Sequence, residues 1–497
     1  MLNFLIYTRG NRRDYDQWEQ LGNYGWSYKD VLPYFIKTEN VKIPSLKRSV
    51  NRGTGGYLDI EHAPFVSKLH GSFIDAGREM GYDYNDPNGE KQLGFSLAQA
   101  TMRDGRRCSA AKAYLRPVAR RRNLHISLSS WVTKIVIDPF TKAAVGVEFV
   151  KNKKRFVLKA RKEVILSAGT IGSAQILLLS GVGPREDLEK LQIPVHANLR
   201  VGYNLQDHVS LSGLTFLVDQ PVTVVEQEMR RPRFLIDYTL FNRGPLTLPA
   251  GAEGIAFVKT NISFLPPDYP DIELVMGIGA FTGDDSGFLR NVFGIPKSFV
   301  DKVFGSVRGR HAFTIAPVLM KPKSRGRISL KTTNPFHWPH LRPNFYSNKE
   351  DMLILREGIK MALRVGESQA FRKFGTRFHD VPFDGCENYR FRSDEYWDCC
   401  IRRIASSLQH QVGTCKMGVD KNAVVDPELR GGMTPLKKFQ ISHFFLLFSH
   451  STVHGIKNLR VVDGSIMPEI PASHTNAVIF MIGEKAADMV KKSWHGQ

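Results

Sequence analysis

Cysteine is scarce in this chain, and the spacing of what there is argues against one class of chemistry. Five cysteines occur in 497 residues: Cys108, Cys386, Cys399, Cys400 and Cys415. No CxxC pair or Cys/His cluster is present, so a structural zinc site is not expected. Cys386 and Cys399 could pair in an oxidising compartment or remain free buried thiols, and spacing alone leaves both open. Long hydrophobic runs are missing too. The stretch Phe444 to Phe448 is far short of the roughly 20 apolar residues that span a bilayer. No signal peptide is visible, and localisation stays unread. Acidic residues are outnumbered, 48 against 69 Lys and Arg, for a net charge of +21. Such a balance suits a polyanion partner or simply a basic surface. The basic residues are spread along the chain, and the runs Arg120 to Arg122 and Lys151 to Lys154 are short. No zinc-finger spacing, RNP motif or basic zipper accompanies them, so no nucleic-acid partner is expected. Internal repeats and low-complexity tracts are absent.

What is present is globular material: 42% hydrophobic and 24% charged residues, with 42 Gly and 26 Pro. The length exceeds one ordinary core and predicts two or three domains, or an interleaved pair. Ser27 is a candidate N-cap before an apolar pattern at Val31, Leu32, Tyr34 and Phe35. Residues 66–81 predict an amphipathic helix stopped by Gly81. Strands are predicted at 125–129 and 132–138, with a hairpin of 144–150 and 156–158. Residues 163–168, EVILSA, form a short apolar run closed by Gly169, the pattern of a buried parallel strand. Residues 169–183 then predict turn, helix and stop. The middle, about 209–345, is rich in strands, among them 255–259, 312–320 and 327–331. An amphipathic helix is predicted over 350–371. Strand 459–462, loop 463–473 and helix 477–491 close the chain.

Three segments carry candidate chemistry. GTIGSAQILLLSGVG, from Gly169 to Gly183, places small residues after a strand and before a helix N-terminus. That arrangement admits an electron-rich ligand or is plain close packing. In LRVVDGSIMP a strand ends at Asp463-Gly464, able to meet a ribityl chain or to form a turn. His410 in SLQHQVGTC and His474 in PASHTNA lie in small-residue loops, where imidazole serves as an acid–base group or as a structural polar residue.

Together these segments resemble the glucose-methanol-choline (GMC) oxidoreductase family, in particular its insect glucose dehydrogenase-like branch. LNFLIYTRGNRRDYDQW resembles the end of the family's first signature, and GTIGSAQILLLSGVG the second. SLQHQVGTCKMG and NLRVVDGSIMPEIPASHTNAVIFMIGEKAADMV resemble its C-terminal segments. VGYNLQDH, GFSLAQATMRDGRRCSAAKAYLRP and PKSRGRISL fit as well, so the resemblance covers nearly the whole chain. It implies an α/β (mixed α+β) fold, with an incomplete doubly wound FAD-binding domain and a substrate domain of mixed or antiparallel sheet with helices. The implied segments are 1–205 for the flavin portion, 206–321 for the substrate portion and 322–490 for the C-terminal portion. The implied activity is FAD-dependent oxidation of CH–OH groups in alcohols or sugars, with quinone or oxygen as acceptor. His410 would be the base and His474 its assistant. Asn3, Val132, Ala168, Gly169, Asp463, Gly464 and Asn476 would hold FAD, and no metal is implied. Intact relatives often enter the secretory route.

Two departures stand out. The family opens with a GxGxxG turn, whose glycines let the pyrophosphate approach, and none occurs near the N-terminus here. The expectation is therefore an N-terminally truncated chain without its first βαβ unit, inactive for that reason, or a catalytically dead binding protein. The second departure is the insert 431–452, which interrupts the family's DPELRVHGIKNLRVVD. It is expected to be a retained intron, or else a variant loop.

Overall fold

The computed structural model describes residues 3–429 and 453–495. The insert 431–452 lies outside the described residues. Two large apolar cores organise the chain. One lies under an eight-stranded antiparallel sheet. Its strand order is Arg377–Phe378, Thr215–Leu217, Ala312–Leu319, Ile272–Gly277, Ala252–Val258 and Gly94–Leu97, with Val209–Leu211 joining Ala312–Leu319 to Ala405–Ser407. The central strands are largely buried, and the helix Lys349–Gly366 packs on Ala312–Leu319 and Ile272–Gly277. That helix is capped by Asn348, whose side chain accepts from the Glu350 amide. It stops earlier than the sequence pattern predicts. A Cβ on Gly366 would sit 2.2 Å from the Phe216 ring, so glycine is needed there for packing. Ser368 then precedes a separate short helix, Gln369–Arg372.

The second core gathers the helices Arg12–Gln20, Tyr28–Thr38, Gly169–Leu179 and Thr475–His495. Trp18, Trp26 and Phe35 are fully buried in it, each contributing roughly 2 kcal/mol of apolar burial. Asn11 and Asp14 form a capping box on Arg12–Gln20. Ser27 takes the expected N-cap position of Tyr28–Thr38, but its hydroxyl bonds Asp30 rather than a backbone amide.

Strand Val164–Leu166 pairs in parallel with Leu459–Val461. This is the parallel element the sequence predicts, but it is not buried on both faces. Val164 and Leu166 pack on the core, whereas Ile165 points the other way and is 47% exposed. The hairpin is Ala144–Lys151 with Lys154–Lys159, extended on its other side by Trp131–Ile137. Residues 125–129 form no strand; their serines hydrogen-bond locally, Ser127 Oγ to Ser130 Oγ at 2.8 Å, which competes with a ladder.

Cys386 and Cys399 are paired, with Cα atoms 5.9 Å apart, while Cys108, Cys400 and Cys415 are buried and free. The bridge ties helix Asp394–Ile404 to the turn before it. That helix runs directly into strand Ala405–Ser407 and the His410 loop. Closing a loop of 13 residues is worth about 3 kcal/mol. Cys399→Ser should therefore lower the thermal midpoint of the oxidised protein by several degrees. Equal midpoints for variant and wild type would show that the bridge contributes nothing.

Candidate active site

Strand Ala405–Ser407 ends at the edge of the antiparallel sheet, and Gln409, at φ +58°, turns the chain so that His410 points inward. The His410 amide donates to Asp207 Oδ1 at 2.8 Å. Asp207 Oδ2 accepts from the Ser407 hydroxyl and, at 2.9 Å, from Gln411 Nε2. One carboxylate thus closes the whole turn. His474 is the last residue before helix Thr475–His495. Its amide donates to Thr8 Oγ1 at 2.8 Å, and its Nε2 lies 3.0 Å from Glu273 Oε1. Glu273 sits fully buried on the central strand Ile272–Gly277. The His410 and His474 rings meet edge to face, with centroids 4.8 Å apart.

The loop leading to His474 is held at every step. Pro468 O accepts from Asn204 Nδ2 and Gln206 Nε2, each at 3.0 Å, and Gln206 Oε1 accepts from the Ile470 amide at 3.0 Å. Lys321 Nζ donates to Ile470 O at 2.7 Å and to Asp14 Oδ1 at 2.8 Å. Asp14 Oδ2 accepts from the Ala472 amide at 2.9 Å. A third imidazole completes the group: His208 Nδ1 lies 3.0 Å from His410 Nδ1, and its Nε2 lies 3.1 Å from Met320 O. The residues missed by sequence reasoning are therefore Asn204, Gln206, Asp207, His208 and Glu273. The first four form one polar run, NLQDH, between apolar stretches, and that run was the available signal. Glu273 announced itself only as a carboxylate inside an apolar strand.

Burial sets the electrostatics. Desolvation, then the neighbouring His474 and His208, hold His410 well below the ordinary imidazole range. His208 is pushed down to about 3, first by burial. Both are neutral at physiological pH, able to accept a proton and reluctant to keep it. Asp207 is raised to about 6 by burial, against the hydrogen bonds from Ser407, His410 and Gln411. Among the described residues no group of three His, Cys, Asp or Glu side chains could hold a metal.

Beyond the imidazoles, the ends of the two parallel strands meet. Asp463 Oδ2 accepts from the Gly169 amide at 2.9 Å and from Ser173 Oγ at 2.5 Å, while Oδ1 accepts from the Ser465 amide at 2.8 Å. Asp463 thus ties strand Leu459–Val461, and Gly464 after it, to the start of helix Gly169–Leu179. At Gly169, φ is +78° and a Cβ would meet nothing within 4 Å. The helix start therefore faces open space, with Ala168 exposed beside it. Amides in the first turn of a helix have no intrahelical partner and attract electron-rich groups. Such an open helix start has the donor chemistry that an electron-rich ligand requires. Asn476, in the first turn of Thr475–His495, is half-buried. Asn3 Oδ1 accepts from the Leu5 amide and Arg107. Val132 is half-buried on Trp131–Ile137, which is joined to Gly169–Leu179 by Ile135 N donating to Ser180 Oγ. Asn3, Val132 and Asn476 are not hydrogen-bonded to the histidine cluster.

His410 and His474 thus stand ring to ring, and the His410 loop is joined to the end of strand Leu459–Val461 through the Gly413 amide donating to Gly464 O. GMC oxidoreductase family models match residues 1–210 and residues 322–432 with 449–483. The chain belongs to the GMC oxidoreductase family, and it is an FAD-dependent enzyme of that family. It is 37% identical over 506 residues to "Glucose dehydrogenase [FAD, quinone]" of Drosophila pseudoobscura pseudoobscura, covering 99% of this chain and 73% of that protein. It is 32% identical to human "Choline dehydrogenase, mitochondrial", covering 99% of this chain and 74% of that protein. Formate oxidase from Aspergillus oryzae RIB40 superposes with a TM-score of 0.82 at 24% identity, covering 100% of this chain and 83% of that one. Pyridoxine 4-oxidase gives 0.76 at 24%, covering 99% and 82%. The mixed α/β fold is that of these oxidoreductases.

Asp207 carries a pH signature. Its folded pKa, about 6, lies above the ordinary carboxylate value. Below about pH 4 both folded and unfolded chains hold the proton. As pH rises towards 6 the unfolded chain ionises first, so folding stability falls across that window by roughly 3 kcal/mol from this group. Asp207→Asn should remove that decline, seen as a flatter thermal midpoint between pH 4 and 6. An unchanged slope would place the Asp207 titration elsewhere.

Proposed function

We propose that this FAD-dependent oxidoreductase oxidises a CH–OH group of an alcohol or sugar and passes the electrons to a quinone or to oxygen. The observation that carries this reading is the pair of rings 4.8 Å apart, one of them neutral because it is buried. His410 takes the hydroxyl proton of the substrate. An alcohol is too weak an acid to lose that proton unaided, and a positioned imidazole lowers the barrier. His474, tied to the Glu273 carboxylate, assists by holding the substrate oxygen or by sharing the proton. The C–H bond breaks as hydride, the C=O bond forms, and the proton left on His410 returns to water. A bound FAD would supply the two-electron sink that side chains lack. Ala168, Gly169, Asp463, Gly464 and Asn476 would hold its flavin and ribityl side, with Asn3 near the ring and Val132 towards the adenine.

We assign residues 1–205 to the cofactor portion, 206–321 to the substrate portion, and 322–490 to a C-terminal portion carrying part of the substrate sheet, the catalytic histidines and the last cofactor-side strand and helix. Glucose is the first substrate to try, since glucose dehydrogenases are among the similar proteins. A second reading, a binding protein without turnover, draws on the absence of any GxGxxG run in this chain. A flavin absorption spectrum of purified protein incubated with FAD separates the two.

His410→Ala should slow anaerobic flavin bleaching by D-glucose or a primary alcohol at least 100-fold, within the range for loss of a general base. Bleaching at the wild-type rate would remove His410 from the reaction.

A further inference from the structure

Neutral imidazole carries one proton on one of two nitrogens, and only the bare nitrogen can act as a base. Which nitrogen is bare in His410 follows from its neighbours. His208 Nε2 lies 3.1 Å from Met320 O. A carbonyl only accepts, so Nε2 of His208 bears the hydrogen. Burial holds His208 at about 3, so no second proton sits on its Nδ1 at neutral pH. That bare Nδ1 lies 3.0 Å from Nδ1 of His410. Two lone pairs at that distance repel, so the hydrogen between the rings belongs to His410. Pro471 O is a second acceptor near His208. Moving the His208 proton away from Nε2 would leave the buried Met320 carbonyl facing a lone pair, at the cost of an unmade hydrogen bond.

We propose that His208 is a positioning residue that fixes His410 as its Nδ1–H tautomer and so presents a bare Nε2 to the substrate hydroxyl. The chain Met320 O, His208, His410 runs from a strand end of the antiparallel sheet through two rings to the reacting proton. His208 is fully buried and acts through His410. The inference rests on the reading of His410 as base for its consequence, but not for the tautomer itself. Asp207 sits next to His208 in sequence and holds the His410 main chain, so adjacent residues set where the base is and which way its proton points.

The test is long-range proton–nitrogen correlation NMR on protein labelled with 15N-histidine, with the His410 signals assigned by their loss in His410→Ala. The expected spectrum shows a protonated Nδ1 and a bare Nε2 in His410, and the reverse in His208. A protonated Nε2 in wild-type His410 overturns the proposal. His208→Asn keeps an acceptor near the Nδ1 position and should keep the His410 tautomer. His208→Leu removes the acceptor and should release it. In the FAD-loaded enzyme, His208→Leu should slow limiting flavin reduction by D-glucose about 100-fold with little change in KM, and His208→Asn should recover most of the rate. An unaltered His410 tautomer in His208→Leu also overturns the proposal. If His410 shows the expected tautomer while His410→Ala still reduces flavin normally, the tautomer assignment stands and the base assignment falls.

Discussion

The hydrogen bond from the His410 amide to Asp207 is the contact on which the site depends, because Asp207 belongs to a five-residue segment that grips both histidine loops. Asn204 and Gln206 hold the loop at Pro468 and Ile470, Asp207 closes the turn at His410, and His208 meets the His410 ring. Two loops more than 60 residues apart in sequence are thereby brought to one point. Functional groups held by residues that are themselves locked reach productive geometry without reorganising at each turnover.

The same segment explains where the site lies relative to the two cores. It precedes strand Val209–Leu211, which pairs with both Ala312–Leu319 and Ala405–Ser407. Position in the antiparallel sheet is therefore transmitted to His410 through a ladder. His474 receives it differently, through a buried carboxylate on the central strand Ile272–Gly277. Lys321 and Asp14 then join that sheet to the helix Arg12–Gln20 on the cofactor side. Removing one partner of a buried charge pair leaves the other uncompensated, at a cost of several kcal/mol. The site is a seam between the two cores, and its polar network is what holds them in register.

Much of this was legible in the sequence. The strand at 164–166, its helix and the closing helix follow from apolar periodicity and small-residue punctuation, and the roles of the two histidines from the family resemblance. His410 and His474 stand together as expected, although nothing in their local sequence encodes the distance between them. The NLQDH run went unread as chemistry because its four polar groups act on partners more than 100 residues away, which spacing cannot show. Glu273 escaped for the same reason. The open face at Ile165 escaped because a short apolar run looks the same whether one face is covered or both. The glycine at 366 answers to the Phe216 ring, a tertiary contact that periodicity does not contain.

Hydrogen exchange tests the clamp most directly. Gln206→Leu removes the bonds to Pro468 and Ile470 and leaves Asp207 in place. If one clamp holds both loops, amide exchange should quicken in peptides covering 405–413 as well as 468–474, with the remainder of the sheet unchanged. Faster exchange confined to 468–474 would mean that the two histidines are positioned independently, and the account would fail at its centre.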